Sequence, residues 1–346
     1  WAFDHVSAGD TVYFRGGIYY QTSPAYRTNL NGTVDNPIVF MGYPDDLASG
    51  NKPIIDGNRT SNQGGILLSV SSNIKFYGIT VRNFVQINPP VGTDYDHPYG
   101  FYLYSCDNIY FENCIAHDIE YRGFWVFTGR NISYINCDAY NIIDPLSDKP
   151  GNHGDGFFLS DYTGDETCYY YLNGCRAWNC SDDGYDLCQD GLYVLENCWS
   201  FNNGHLEFGN GNGYKYGYAG SQQDTITRVF HNCIAFGNRS SGFTSAAETP
   251  PMTARPSEMY NCTSYRNGFR GGPSGYGFAI FNSGSTDEYE LMRVFRNNIA
   301  YKNDLADMQV QIGGIYTHTN NSWDTDFTLT DADFVSVDSA GITAPR

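Results

Sequence analysis

The sequence predicts an all-β chain wound as a right-handed parallel β-helix, and three recurring phrases predict it. The first returns as Asn73-Ile74-Lys75-Phe76, Asn108-Ile109-Tyr110-Phe111 and Asn131-Ile132-Ser133-Tyr134. The second, Asn or Gly followed by Cys, places Cys114, Cys137, Cys175, Cys198, Cys233 and Cys262 in one column, with Asn298 standing where the next Cys belongs. The third is glycine followed by an aromatic: Gly100-Phe101, Gly123-Phe124, Gly156-Phe157, Gly184-Tyr185, Gly213-Tyr214, Gly242-Phe243 and Gly277-Phe278.

Short β-rich phrases bounded by Gly, Asn and Asp, at an irregular spacing of 23 to 35 residues, indicate stacked coils whose connecting loops vary in length. Helical periodicity is absent, and so are the signatures of leucine-rich repeats and propellers. In such a solenoid each coil lends short strands to continuous parallel sheets, so equivalent residues stack about 4.8 Å apart. The aromatic after each glycine then forms an interior stack, and the Cys column a ladder of buried thiols packed as small apolar groups. A disulfide, if one forms, is expected to use Cys168, Cys180 or Cys188, which lie off the ladder. Sequons such as Asn131-Ile132-Ser133 read as Asn-rich turns.

Residues 1–346 are expected to form one β-helix domain, with 315–346 as a C-terminal tail or cap packing on the solenoid. Ser7-Ala8-Gly9-Asp10 reads as a turn feeding a strand at Thr11-Val12-Tyr13-Phe14, so a leader and an N-terminal cap are expected upstream of Trp1.

Composition narrows the partners. The 346 residues carry 20 Lys and Arg against 38 Asp and Glu, for a formal net charge of −18. Scattered basic residues on an acidic chain exclude nucleic acid as a partner. No apolar run approaches the roughly 20 residues of a membrane helix, so no membrane span is expected, and the unit is expected to be a monomer. An acidic substrate would be repelled unless the site holds a metal cation or a local basic cluster.

Aligning the glycines exposes the candidate site. Two residues after each stand Tyr102, Trp125, Phe158, Asp186, Lys215, Thr244 and Ala279, which face outward if the aromatic faces inward. Just before each stand Tyr99, Arg122, Asp155, Asp183, Asn212, Ser241 and Tyr276. Charge therefore gathers on three successive coils: Asp155 and Asp183 stack, Asp182 adjoins Asp183, and Asp186 sits one coil from Lys215. Four carboxylates this close repel one another without a cation. Oxygen ligands with no His or Cys among them favour a hard cation, and an irregular Asp set suits Ca²⁺ better than octahedral Mg²⁺. Taken alone, Ser181-Asp182-Asp183-Gly184 is also an ordinary Asp-rich turn.

Lys215 lies in the glycine-rich run Gly209-Asn210-Gly211-Asn212-Gly213-Tyr214-Lys215-Tyr216-Gly217, which leaves space over the sheet for a ligand. A cation cluster one coil away and partial burial would both lower its pKa, which suits a general base. That set of groups matches removal of the C5 proton α to a uronate carboxylate, followed by loss of the 4-O-linked sugar. Two alternatives stay open on these residues. Asp182 and Asp183 are a carboxylate pair of the kind a glycoside hydrolase uses, and a non-catalytic carbohydrate-binding β-helix would use the Asp cluster only to staple coils.

Gly154-Asp155-Gly156-Phe157, Cys175-Arg176-Ala177-Trp178 running into Ser181-Asp182-Asp183-Gly184-Tyr185-Asp186-Leu187, Glu196-Asn197-Cys198-Trp199 and Gly211-Asn212-Gly213-Tyr214-Lys215 together resemble family 9 polysaccharide lyases, the group that contains Ca²⁺-dependent pectate lyases and rhamnogalacturonan lyases. Weaker similarity reaches both ends, at Ala8-Gly9-Asp10-Thr11 and Asp333-Phe334-Val335-Ser336. The resemblance implies a right-handed parallel β-helix of about ten coils, Ca²⁺ held by Asp155, Asp182, Asp183 and Asp186, and Lys215 as the Brønsted base. It also implies an acidic pectic polysaccharide of the plant cell wall as substrate and a secreted, periplasmic or cell-surface location. The sequence departs from the pectate-cleaving pattern around the base, reading Tyr214-Lys215-Tyr216-Gly217-Tyr218 where Phe-Lys-Leu-Gly-Gly is common, and Gly242-Phe243-Thr244-Ser245-Ala246 on the next coil. Arg122 and Arg176 are expected to grip further uronate carboxylates, because guanidinium matches carboxylate bidentately, with a structural ion pair as the alternative for each. Trp125 and Tyr216 are expected to be sugar-stacking platforms, with packing under long loops as the alternative for each.

Overall fold

The computed structural model describes residues 2–21, 23–60, 64–87, 97–163, 167–217, 226–245, 256–268, 275–281, 292–310, 316–326 and 328–335. Every strand pairing among these residues is parallel, in one 19-stranded and one 10-stranded sheet, as expected of stacked coils. The larger sheet has two sides. Strands Tyr99–Glu112 and Arg122–Ile135 run through both and join them. One coil therefore runs from a strand such as Asp155–Asp161 to Tyr169–Asn173, then to Arg176–Trp178 in the smaller sheet, and returns at Tyr185–Gln189.

The predicted columns are the observed register. Phe101, Phe124, Phe157, Tyr185, Tyr214, Phe243 and Phe278 pair rung to rung. Their rings stack with centroids 4.6–5.0 Å apart through the core. The glycine before each aromatic has a steric cause: a Cβ at Gly184 would run into Ser200 Oγ and lie 3.0 Å from the Gly213 carbonyl oxygen of the next coil.

The six ladder cysteines are fully buried. The residue before each takes the left-handed conformation, with φ of 54° at Asn113, 51° at Asn136, 66° at Gly174, 55° at Asn197, 55° at Asn232 and 56° at Asn261. Only Gly, and to a lesser degree Asn or Asp, visits that region cheaply, which explains the Asn-or-Gly rule ahead of Cys. All ten cysteines are buried and none forms a disulfide, Cys168, Cys180 and Cys188, the expected disulfide partners, included; Cys188 donates to Asp186 Oδ1 at 2.9 Å.

At the N-terminal end, Asp10 N–H donates to the Ser7 carbonyl in the expected turn, and Thr11–Phe14 follows as a strand. At the other end, strand Tyr316–Thr319 pairs with Arg293–Arg296 and adds a rung, and Trp323 packs on Phe278 at 5.2 Å. Residues 315, 327 and 336–346 of the expected tail lie outside the described residues, as do Tyr218 and Ala246.

Candidate active site

The outer face of the strands around Asp155 changes character along the axis. Tyr102, Trp125 and Phe158 form a buried outer cluster, and the next two members of the same register are Asp186 and Lys215. Asp155 and Asp183 are brought together because Phe157 pairs with Tyr185; the Asp183 N–H donates to Asp155 Oδ1 at 3.3 Å. One carboxylate oxygen each from Asp155, Asp183 and Asp186 lies within 4.8 Å of the others. Lys215 Nζ, buried at 4% exposure, donates to Asp186 Oδ2 at 3.1 Å and stands 3.5 Å from Asp183 Oδ2. Asp182 lines the same cleft, and its Oδ1 accepts the Asn210 N–H at 2.6 Å.

The glycine-rich run ahead of the lysine makes this possible. A Cβ at Gly209 would collide with the Ser181 carbonyl oxygen, so the run lies flat against the Asp turn. Its Asn212 then donates backbone N–H and side-chain amide to Asp183 Oδ1 at 2.6 and 3.0 Å.

The cleft, about 190 Å³, is lined by Asp155, Asp182, Asp186 and Lys215 together with Arg122, Asn152, His153, Phe158, Tyr162, Cys188, Gln189 and Asn210. Burial pushes the carboxyls of Asp155 and Asp182 well above the usual range, Asp186 adding to the effect at Asp155 and Asp183 to that at Asp182. Burial also raises Asp183, to about 6, against the opposing pull of Lys215.

The donor set fits a hard cation. Four buried carboxylates face two cationic side chains, Lys215 and Arg122, so two negative charges are uncompensated when all are ionised. Asp183 Oδ2 is buried and accepts no hydrogen bond. A desolvated carboxylate oxygen with no hydrogen bond, held only by the 3.5 Å ion pair to Lys215 and lying beside two others, is what a divalent ion with oxygen ligands satisfies.

The structure distributes the other expected site residues unevenly. Arg122 lines the cleft, with Nε 3.7 Å from Asp155 Oδ2 and its guanidinium 3.7 Å over the Phe158 ring. Arg176 does not reach the cleft. It lies in the smaller sheet and pairs bidentately with the buried Asp138, Nε to Oδ1 at 2.9 Å and Nη2 to Oδ2 at 2.6 Å. Its rung partner in that sheet is Asp138 itself, so the ion pair is structural. Trp125 faces outward yet is fully buried, sandwiched between the Tyr102 ring at 3.9 Å and the Arg122 guanidinium at 4.5 Å, so no sugar can stack on it. Tyr216 points into the core and packs on Phe230 at 5.3 Å. Strand alternation accounts for this: with Tyr214 inward and Lys215 outward, Tyr216 returns inward.

Sequence reasoning missed Asn152, His153 and Tyr162 on the cleft wall. The only signal for the first two is their position just ahead of Asp155. Among the described residues, no helix is long and apolar enough to cross a membrane.

The family described as Pel9A-like, right-handed β-helix region, matches residues 1–298. Over 216 residues the chain is 34% identical to pectate lyase L of Dickeya dadantii (strain 3937), covering 60% of this chain and 44% of that protein, so the match spans less than half of that relative's length. The crystal structure of pectate lyase Pel9A aligns at a TM-score of 0.72 and 25% identity, covering 100% of this chain and 79% of that one. A rhamnogalacturonan lyase structure aligns at 0.76 and 23% identity, covering 100% and 87%, a likeness of fold.

Proposed function

The chain belongs to the Pel9A-like right-handed β-helix family, and on that premise we propose that it is a Ca²⁺-dependent polysaccharide lyase. Its substrate in this reading is a galacturonate-containing pectic backbone, polygalacturonate or rhamnogalacturonan I, cleaved by β-elimination outside the cytoplasm. The observation that carries the reading is the buried Lys215 amine, 3.1 and 3.5 Å from two carboxylates of a three-Asp cluster. A lysine at the centre suits proton abstraction, whereas hydrolysis needs only paired carboxylates.

Asp155, Asp182, Asp183 and Asp186 would hold Ca²⁺. When bound, the ion supplies positive charge against the substrate carboxylate and the enolate-like charge that develops beside it. Lys215 Nζ takes the C5 proton. The electron pair of the broken C–H bond becomes the C4–C5 double bond, and the C4–O bond breaks with its pair on the oxygen of the preceding sugar, which takes a proton from solvent water and departs. Arg122 offers a planar cation to a uronate carboxylate in the cleft. Asp186 and Asp183, 3.1 and 3.5 Å from Lys215 Nζ, orient the amine toward the cleft and would also be among the residues holding the cation.

The test is a continuous ultraviolet assay for a 4,5-unsaturated uronide on both polymers, each with Ca²⁺ and with a chelator. A Ca²⁺-dependent rise supports the lyase and names the backbone. New reducing ends without that absorbance would replace it with a hydrolase. A chelator-sensitive melting temperature with no turnover would reduce the cluster to a staple between coils.

A further inference from the structure

We propose that His153 is a substrate-contacting residue of the cleft and that Asp144 is the group that positions it. The inference rests on the reading of the cleft as a uronide site.

Residues 143–154 connect strand Asp138–Ile142 to strand Asp155–Asp161 and bring Asn152 and His153 to the cleft wall. At the root of this segment Asp144 is fully buried. Its Oδ1 accepts the Gln86 side-chain amide at 2.8 Å, and its Oδ2 accepts Ser147 Oγ at 2.6 Å and lies 3.2 Å from His153 Nδ1. Gln86 is itself fixed, its Oε1 accepting the Leu146 N–H at 2.8 Å. Burial opposes ionisation of Asp144, but hydrogen bonds from His153, Ser147 and Gln86 outweigh it and hold the carboxyl below its usual range.

An ionised carboxylate only accepts, so the proton on Nδ1 points at Asp144 and Nε2 is the nitrogen left for the cleft. Ring rotation is fixed as well, because the imidazole stacks on Tyr121 with centroids 5.2 Å apart and planes 24° apart. A buried carboxylate is a costly anchor for a loop that neutral side chains could hold. Here it orients one imidazole, itself only part-buried at 30% side-chain exposure, on the wall shared with Arg122 and Asp155. A uronide whose carboxylate is drawn to the charged cluster brings its ring hydroxyls to that wall, and His153 Nε2 hydrogen-bonds one of them.

The test uses the full chain saturated with Ca²⁺ and compares His153→Ala, His153→Gln and Asp144→Asn in kcat, KM, Ca²⁺ affinity and melting temperature. His153→Ala is expected to lower kcat/KM about 10-fold, the worth of one well-placed hydrogen bond, with Ca²⁺ affinity unchanged. His153→Gln, which keeps a polar atom on the wall, is expected to recover part of the loss. Asp144→Asn turns one acceptor into a donor among three donors, so it is expected to raise KM with His153 intact. Should that variant not fold, the two His153 variants carry the test. Calorimetric titration with trigalacturonate on the same proteins reads binding directly, and it stands even if the wild type makes no unsaturated product, an outcome that would count against the lyase alone. The proposal is overturned if His153→Ala binds trigalacturonate as wild type does, or if its activity falls only in step with Ca²⁺ affinity.

Discussion

The inner and outer faces of the strands carrying Phe157, Tyr185 and Tyr214 are stacked by the same register and take opposite consequences from it. Inside, the three rings lie 4.9 and 4.8 Å apart and parallel, and each such pair adds about 0.5–1.5 kcal/mol beyond its buried area. Outside, the register brings Asp155, Asp183 and Asp186 within 4.8 Å of one another. Two like charges at that distance repel by about 3–4 kcal/mol at an effective dielectric constant of about 20. Stacking identical residues is therefore a source of stability where they are apolar and a liability where they are charged. A column of carboxylates on an otherwise aromatic face marks a place where the register costs stability, the kind of place at which function is sought.

The sharpest way to break this contrast is to remove the one amine on the outer face. Lys215→Ala is expected to cut formation of the unsaturated product on the order of 10³-fold, while far- and near-ultraviolet circular dichroism show the inner stack intact. Arg176→Ala should do the reverse. It removes the bidentate partner of the buried Asp138 carboxylate, which costs about 3 kcal/mol or more in denaturant unfolding, with kcat/KM of the folded protein unchanged.

Acidity separates the faces next. In the metal-free protein the Asp183 carboxyl is raised to about 6, above an unfolded value near 3.9, so the folded state holds the extra proton. Its contribution to stability is complete below about pH 4, fades as the pH rises towards 6 and is lost above it, a change on the order of 3 kcal/mol. A cation competes with those protons. The rise in melting temperature caused by Ca²⁺ is therefore expected to be small at pH 4 and to grow as the pH rises through 6. The smallest effect belongs to the interior: Cys175→Ala removes one fully buried sulfur, costs about 1 kcal/mol and leaves turnover untouched.

The coils and the carboxylate cluster were legible in the sequence because a parallel solenoid turns one-dimensional spacing into contact. Once Gly156, Gly184 and Gly213 are aligned, Asp155 must lie beside Asp183 and Asp186 beside Lys215. Relations that leave a column were not legible. The acceptor for the Gln86 amide, Asp144, lies 58 residues away; the Arg176–Asp138 pair, by contrast, is a column relation, one residue after Cys175 and Cys137, and was there to be read. Trp125 was correctly placed outside the sheet, but its burial depends on the Arg122 side chain folding over it, a matter of rotamer and not of register. Tyr216 was a misreading of parity, since the alternation that put Lys215 outside also sends Tyr216 inside.

The central claim is that the outer carboxylate column is a cation site. Calorimetric titration of metal-free protein with Ca²⁺ at pH 8, wild type against Asp183→Asn, tests it most directly. One binding event per chain in the wild type, abolished by a substitution that removes a charge and no volume, is the predicted result; no binding in the wild type, or equal binding in both proteins, would contradict it.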